Sequence, residues 1–403
     1  MSADARDAGP IPRTGAGPRA ALAWAPFLAC SWTWCVGMFL PILMLRDFGW
    51  IGFVVFCVPN VVGAGAVGWF VRSPEASRRW IEAHAPVMRL FSWITIAFHG
   101  YWLGWMTRWL PFEGAATLVA WVAGGVGLSA LVAMRLRGTQ IAWGVWCLSA
   151  GVLVYLLATG EARPTPVPPL APPSSLAILW LAPLMSFGFL LCPLLDLTLH
   201  RARRGAGESG RAAFALGFGV CFLTMVLLTW VYAGRLLDPD TRRGLPEMLI
   251  VVHIIAQLCF TVGEHTRDLA RSPARRMIPI GIGLVFAACL AGGLLAGGHG
   301  AIDLTKSSES PALAVGEIGY RALLASYGCL FPAYVWICLI PRGGGPIRRP
   351  SRRTIAVWLI ATAAAVPFLT IGYLGQRHEW LAPGLLVMLV ARLFVPRSPR
   401  HSS

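Results

Sequence analysis

The residues best suited to chemistry lie on one face of an apolar segment, residues 87–109. They are spaced i, i+3, i+7 and i+10: Ser92, Thr95, His99 and Trp102. This spacing places all four on one side of an α-helix. His99 is the most versatile, because a neutral imidazole both donates and accepts hydrogen bonds and can carry a proton near neutral pH. We predict that this face contacts a polar solute or a coupled proton.

A second apolar segment, residues 247–264, carries a similar polar stripe. His253 and Gln257 share a helical face, and Thr261 lies nearby. We predict solute or proton contacts for these side chains as well. The alternative for both stripes is that the histidines are structural and are satisfied by neighbouring backbone and hydroxyl groups.

Asp196, Glu317 and Arg321 are further ionisable residues that fall within apolar segments. Each is a candidate functional residue, because such a group at the bilayer centre costs about 2.5–3.5 kcal/mol. We predict that Asp196 couples a cation or gates access; an ion pair with nearby arginines at the membrane interface is the alternative. Glu317 and Arg321 are spaced i, i+4 and are predicted to form an outer gate or a static ion pair.

Other kinds of site are not indicated. Gly63, Gly65 and Gly68 match G-x-G-x-x-G, but they lie inside an apolar segment, where small residues permit close helix packing. A dinucleotide site needs a β-strand before this motif. No pair of the ten cysteines has metal-ligand spacing. We predict no catalytic residues, no cofactor, and no metal site beyond one for a coupling Na⁺.

Membrane-spanning helices must position these residues. The chain is 56% hydrophobic and only 13% charged, against roughly 25% charged in a soluble domain. Its apolar residues form blocks of about 18–25, the length that crosses a hydrocarbon core. The net charge of +16 does not indicate nucleic acid, because the basic residues sit in short loops between these blocks. We predict an all-α polytopic membrane protein whose partners are the lipid bilayer and a small-molecule solute.

The apolar blocks predict twelve transmembrane helices. They lie at roughly 21–45, 50–71, 87–109, 115–134, 139–158, 174–199, 212–233, 247–264, 277–297, 314–340, 354–375 and 380–396. With a cytoplasmic N-terminus, eight basic residues fall in outer loops and nearly all the others in inner ones. This is the positive-inside pattern. We therefore expect both termini in the cytoplasm and a location in the bacterial cytoplasmic (inner) membrane.

A proline-rich external linker, residues 159–173, divides the chain after the fifth helix. An odd number of helices before the linker gives the next five the opposite orientation. We predict a cytoplasmic tail (1–20), a first five-helix repeat (21–158), a second, inverted repeat (174–340), and two additional helices with a short tail (341–403).

Both predicted repeats open with a helix that contains a small polar residue, a glycine and then a proline. The first series is Ser31, Thr33, Trp34, Gly37 and Pro41, and the second is Ser186, Gly188 and Pro193. A broken helix exposes backbone groups that a bilayer tolerates only where they line a cavity. Interrupted helices at matching positions of two halves point to a transport site. The alternative is that these residues only kink the helices.

This arrangement resembles the LeuT-fold secondary transporters of the amino acid/polyamine/organocation superfamily, in particular the sodium:solute symporters or the nucleobase-type symporters. The resemblance implies a solute site at breaks near residues 34–37 and 186–188, with both polar stripes facing it. It also implies an inner sodium site made of first-helix backbone and the hydroxyl of Thr261.

The expected function is therefore secondary active transport. The protein would be a symporter that moves a small polar or organic solute by alternating access, coupled to Na⁺ or H⁺. Two alternatives remain open. One is a polytopic membrane enzyme acting on a lipid-linked substrate, with His99, His253 or Asp196 as acid–base groups, and the other is a membrane scaffold or sensor.

Overall fold

The computed structural model describes seven segments of the chain: residues 17–107, 137–164, 175–237, 244–270, 278–298, 313–342 and 347–396. Every regular element in these segments is helical, and eight helices are long and apolar enough to cross a membrane. The chain is thus an all-α polytopic membrane protein, as its composition predicts. The predicted span 115–134 and most of the 159–173 linker lie outside the described residues, and the total of twelve spans stays a prediction.

The first half contains four described helices: α1 (Pro18–Trp32), α2 (Cys35–Phe70), α3 (Pro74–Met106) and α4 (Gly138–Ala158). Helix α2 joins the second part of one predicted span to the whole of the next. It bends at Gly49, whose φ of 62° and ψ of −153° lie in a region that glycine adopts without strain. The predicted loop between these two spans is therefore a single-residue bend.

The second half and the C-terminal part contain ten helices among the described residues. They are α5 (Ser175–Leu191), α6 (Leu197–Gly205), α7 (Gly210–Leu216), α8 (Leu223–Leu237), α9 (Leu245–Ala270), α10 (Ile278–Gly298), α11 (Val315–Ala325), α12 (Phe331–Tyr334), α13 (Arg352–Leu369) and α14 (Leu381–Ala391). Wider π-helical turns join or extend several of them: Gly217–Phe222, Ser326–Leu330, Val335–Leu339 and Thr370–Leu374. Such turns are rare and often occur at functional sites.

Helix α1 and the first part of α2 form the centre of the protein, since every residue from 25 to 45 is buried. Around this centre, α1 packs against α4, α6, α7 and α9, while α2 packs against α5 and α8. Helix α3 packs against α6, α9 and α10. The discontinuity between α1 and α2 therefore lies in the core of the bundle.

The glycines of the G-x-G-x-x-G string serve helix packing. A Cβ at Gly63 would overlap the carbonyl of Phe189 and lie 2.7 Å from the Cα of Leu190, both on α5. A Cβ at Gly68 would lie 2.7 Å from the Cβ of Phe214 on α7. These contacts let α2 approach α5 and α7 closely.

We expect Gly63→Val to destabilise the protein by about 1–3 kcal/mol, because overpacking forces α2 away from α5. The measurement is thermal unfolding of the purified protein in detergent. Gly144→Val is the matched control, since a Cβ at Gly144 on α4 has open space within 4 Å. Equal melting temperatures for the two variants would contradict the close contact between α2 and α5.

Candidate functional site

The first interruption separates α1 from α2 at residues 33–34. Thr33 has φ −79° and ψ 69°, and Trp34 has φ −76° and ψ −176°, so neither continues the helix. Both residues are buried. The sequence placed this break slightly later, at residues 34–37, which is wrong for Gly37, because Gly37 lies inside α2.

A hydrogen bond from another helix explains why α2 continues through Pro41. Proline has no N–H, so the carbonyl of Gly37, four residues earlier, loses its partner within the helix. The hydroxyl of Thr229 on α8 donates to this carbonyl at 3.0 Å. The hydroxyl of Tyr232 donates to the adjacent carbonyl of Met38 at 2.8 Å. Neighbouring side chains thus satisfy the backbone around the proline.

We expect Thr229→Val to cost about 1–3 kcal/mol of stability, because the buried carbonyl of Gly37 would lose this donor. Thr229→Ser keeps the hydroxyl and should stay close to the wild type. Thr224→Val is the control on the same helix, since the Thr224 hydroxyl is exposed and donates only to its own helix, at Val220. Thermal unfolding in detergent compares the three variants; a loss for Thr224→Val as large as for Thr229→Val would refute this account.

His99 satisfies the backbone at the start of α2. Its Nε2 accepts a hydrogen bond from the N–H of Cys35 at 3.3 Å, and its Nδ1 lies 2.7 Å from the carbonyl of Thr95. Because a carbonyl only accepts, Nδ1 carries the proton and the ring is neutral. The hydroxyl of Tyr320 on α11 donates to the carbonyl of Cys35 at 3.2 Å. These contacts hold the broken end of α2 from two sides.

The hydroxyls and the indole at the end of α1 bind that helix itself. Ser31 donates to the carbonyl of Leu28 at 3.2 Å, and Thr33 donates to the carbonyl of Ala29 at 2.8 Å. The indole N–H of Trp34 donates to the carbonyl of Ser31 at 2.5 Å. These local side chains therefore donate hydrogen bonds to carbonyl groups near the end of α1, where the break removes helical partners.

Two residues of the α9 stripe reach the end of α1. The Thr261 hydroxyl lies 3.5 Å from the carbonyl of Cys30. The Gln257 side-chain N–H group lies 3.5 Å from the sulfur of Cys30 and 3.7 Å from that of Met225. The Gln257 oxygen is buried without a hydrogen-bond partner among the described residues. This place therefore offers both oxygen and sulfur atoms to a ligand.

His253, predicted to share a site with Gln257, points elsewhere. Its Nδ1 lies 2.8 Å from the hydroxyl of Ser149 on α4. His99, His253 and Asp196 each bind a different partner, and among the described residues no hydrogen bond joins them to one another. In the described part of the chain they do not form one acid–base group.

The second interruption lies between α5 and α6, at residues 192–196. A 3₁₀ turn, Cys192–Leu195, follows α5, and Asp196 then has extended backbone with φ −76° and ψ 114°. The sequence placed this break over residues 186–193, with the solute site near 186–188. This is wrong for Ser186 and Gly188, which lie inside α5, and the predicted range overlaps the observed interruption at residues 192–193. Pro193 lies at the start of the 3₁₀ turn and has no N–H to donate back to α5.

Gly188 has a packing role instead. A Cβ there would lie 3.1 Å from the carbonyl of Tyr327 and 3.2 Å from the Cα of Gly328. The glycine lets α5 approach the π-helical turn Ser326–Leu330 closely. Ser186 is half-buried on the same helix. The sequence interpreted Gly188 as a point where the helix breaks, whereas its role is to permit close contact between helices.

Asp196 begins α6 as its N-cap residue. Its Oδ1 accepts hydrogen bonds from the N–H and the hydroxyl of Thr198, both at 2.7 Å. The side chain is fully buried, and its Oδ2 has no hydrogen-bond partner among the described residues. The expected interfacial ion pair is not seen in this part of the chain, because the Arg201 guanidinium binds Glu264 and Asp268.

A small pocket of about 10 Å³ lies between the two interruptions. Its lining comes from both: Trp32, Trp34, Val36, Asn60, Phe189, Cys192 and Tyr327. The indole N–H of Trp32 donates to the Asn60 side chain at 2.6 Å. The pocket is therefore mainly aromatic, with one amide and one phenol.

The sequence reasoning found Trp34 but missed Asn60 and Tyr327. Asn60 is a single amide in an apolar segment, and the rule that selected His99 would have found it. Trp102, predicted to contact solute, does not line this pocket; it is fully buried and packs near Phe39, with ring centroids 6.2 Å apart. Tyrosines such as Tyr327 give no signal in a composition count, because they are common at membrane interfaces.

A largely buried network lies on the side of the bundle that the charge pattern predicts to be outer; Glu317 and Arg321 are buried, and Arg46 and Asp47 are partly buried. Arg46 binds both oxygens of Glu317, at 2.7 and 3.0 Å, and Asp47 at 2.7 Å. Arg321 binds Glu317 at 2.8 Å and Asp47 at 2.6 Å. The predicted Glu317–Arg321 pair is thus part of a four-residue outer network that joins α2 to α11. Two positive and two negative groups balance, as burial requires.

Aromatic residues cover the outer network. The ring of Tyr373 lies 5.1 Å from the Arg321 guanidinium carbon, a cation–π distance. His378, between α13 and α14, packs against Phe48 at 5.5 Å. Burial lowers the pKa of His378, and the charge of Arg321 lowers it further. The imidazole is therefore neutral at neutral pH and leaves the charge balance of the network unchanged.

An inner network occupies the opposite side. Arg201 on α6 binds Glu264 at 2.6 Å and Asp268 at 3.2 Å on α9, and Arg267 lies 3.3 Å from Glu264. The ring of Phe27 stacks 4.9 Å from the Arg201 guanidinium. A Cβ at Gly138 would lie 2.8 Å from a Glu264 oxygen, so the same carboxylate also meets the start of α4. The inner network joins α1, α4, α6 and α9.

Comparisons with known proteins add no relative to this picture: no protein-family model, no curated protein and no solved structure matches the chain. The resemblance to LeuT-fold transporters therefore stays a prediction. The two interruptions, the pocket between them and the networks at either side are the observations on which a function can be argued.

Proposed function

We propose that the protein is a secondary active transporter that moves a small polar or organic solute by alternating access, coupled to Na⁺ or H⁺. The observation that carries this proposal is the pair of interruptions at residues 33–34 and 192–196, which line one buried pocket. Unwound backbone inside a membrane is tolerated where it lines a cavity. In transporters such backbone binds solute and coupling ions.

The two networks support this mechanism because each connects an interrupted helix to a neighbour. The outer network ties α2 to α11, and the inner network ties α6 to α9. Both are formed at once around a pocket of about 10 Å³, which corresponds to an occluded state. Alternating access would open one network at a time and so expose the pocket to one side.

Groups for either coupling ion lie beside the interruptions. Oxygen atoms for Na⁺ would come from the carbonyl of Cys30, the hydroxyl of Thr261 and the side-chain oxygen of Gln257, which has no hydrogen-bond partner among the described residues. A proton would bind Asp196, whose Oδ2 is buried without a partner in the described part of the chain. The solute would meet Trp34, Asn60 and Tyr327 in the pocket.

Ligand-dependent stabilisation followed by uptake tests the transport function. Purified protein is melted in detergent with separate amino acids, amines, nucleobases and organic acids, with and without Na⁺. A true solute raises the melting temperature, because binding adds RT ln(1 + [L]/Kd) to the stability of the folded state. Compounds that stabilise are then tested for uptake by proteoliposomes under Na⁺ and pH gradients. Transport would be abandoned if no compound stabilises the protein and none is taken up.

A further inference from the structure

We propose that Asp196 is the residue that binds the coupling ion and that this ion is a proton. The inference deepens the proposed transport function and rests on it. Asp196 is the residue with extended backbone at the second interruption, between the 3₁₀ turn Cys192–Leu195 and α6. It is therefore placed where the two parts of an interrupted helix can move relative to each other.

The hydrogen bonds of Asp196 leave one oxygen unused. Thr198 supplies two donors to Oδ1, whereas Oδ2 is buried with no partner among the described residues. An ionised carboxylate accepts hydrogen bonds at both oxygens, and burying its charge without compensation is strongly unfavourable. A proton on Oδ2 removes the charge and leaves the N-cap bonds of Oδ1 intact.

Nearby charges do not replace that proton. Arg201 interacts electrostatically with Asp196, but its guanidinium lies 2.6 Å from Glu264 and 3.2 Å from Asp268. Asp268 itself adds negative potential at Asp196. The other charged or titratable residues on α6 are His200, Arg203 and Arg204, and the guanidinium of Arg203 donates to the carbonyls of Val71, Arg72 and Gly207. The helices packed against α6 contribute, among others, His84 and His99 on α3, Arg211 on α7, and Glu264 and His265 on α9. Cys192 and Tyr327 also interact electrostatically with Asp196.

The same contacts connect the proton to opening on the inner side. In the closed network, Arg201 holds α6 to α9 through Glu264 and Asp268. When the proton leaves Asp196 for cytoplasmic water, the resulting carboxylate competes for Arg201, five residues further along the chain. This competition weakens the link between α6 and α9. Proton release and opening of the inner network then favour each other.

The alternative place for a coupling ion is poorer in oxygen. Around the end of α1, the Cys30 and Met225 sulfurs lie 3.5 and 3.7 Å from the Gln257 side-chain nitrogen. The Met225 sulfur is also 3.3 Å from the Thr33 hydroxyl. A hard cation prefers oxygen ligands, whereas thioether and thiol ligands suit soft metals. The sulfur atoms therefore disfavour Na⁺ at this position.

Asp196→Asn separates proton binding from the structural role of Asp196. Asparagine is as good an N-cap as aspartate, so the hydrogen bond with Thr198 is kept and only the ability to ionise is lost. Infrared spectra of the reconstituted protein at neutral pH should contain a protonated-carboxyl band in the wild type and in Glu75→Gln, an exposed control. The band should be missing in Asp196→Asn. Asp196→Ser, another good N-cap, repeats the test if the asparagine variant fails to fold.

An unchanged carboxyl band in the folded Asp196 variants would overturn the proposal, because Asp196 would then carry no proton. Uptake provides a second test once a solute is found. The wild type should accumulate that solute under a pH gradient, whereas Asp196→Asn should retain solute exchange and lose accumulation. Accumulation driven by Na⁺ alone would refute proton coupling and leave transport standing. Absence of any uptake would refute transport itself, independently of the infrared result.

Discussion

Glu317→Gln is expected to lower the free energy of unfolding by about 3–5 kcal/mol, the usual cost of removing one partner from a buried ion pair. Glu317 binds Arg46 and Arg321 together, so its loss leaves two buried guanidinium groups with Asp47 as the remaining carboxylate of the outer network. The neutral amide keeps the shape of the side chain, and the effect therefore measures charge. Denaturant titration in mixed micelles gives the free energy.

Glu379→Gln is the control for this variant. The Glu379–Arg377 ion pair is exposed, with side chains 51% and 66% accessible, and such pairs contribute only about 0–1 kcal/mol. If the two variants unfold with similar free energies, the outer network does not hold α2 to α11 in the way described.

Arg201→Gln should have an effect of similar size, about 3–5 kcal/mol, for the same reason. The variant removes the cation that lies 2.6 Å from Glu264 and 3.2 Å from Asp268. Its control is Arg78→Gln, because the Arg78–Glu75 pair is exposed. A stable, unperturbed Arg201→Gln protein would show that the inner network contributes little to holding α6 against α9.

Glu317→Gln and Arg201→Gln also distinguish opening of one side of the protein from destabilisation of the whole bundle. In a chain that retains only Cys35 and Cys192, both buried, maleimide labelling reports access to the two interruptions. Glu317→Gln should increase labelling from the outer side, and Arg201→Gln should increase labelling from the inner side. Labelling of each variant equally from both sides would mean that the substitutions destabilise the bundle without acting as gates.

The presence of helix interruptions could be predicted from the sequence, but their positions could not. Local sequence marks Gly37 and Pro41 as breaking residues, yet α2 passes through both because Thr229 donates to the Gly37 carbonyl. That donor is 192 residues away in the chain. In α5, Gly188 suggested backbone freedom, whereas its actual constraint is the carbonyl of Tyr327. Long-range contacts thus decide where a membrane helix breaks.

The charged residues show the same limit. Glu317 and Arg321 were recognised because their spacing is local, and the structure places them in contact. Arg46 and Asp47 fall between the predicted spans 21–45 and 50–71, in what the sequence suggests is a connection. In the structure the helix runs through both, because the bend is confined to Gly49. Asp196 carried a readable signal: an aspartate followed by Thr198 and a helical run is the pattern of an N-cap.

The bend at Gly49 has a mechanical consequence. Residues 35–48 start at the first interruption and end at the outer network, and residues 50–70 continue from them with no intervening loop. A loop would absorb displacement, but a one-residue joint transmits it. Tilting of residues 35–48 should therefore reorient residues 50–70, which contact α5 through Gly63. Helix α2 would in this way couple movement at the first interruption to α5, the helix that precedes the second one.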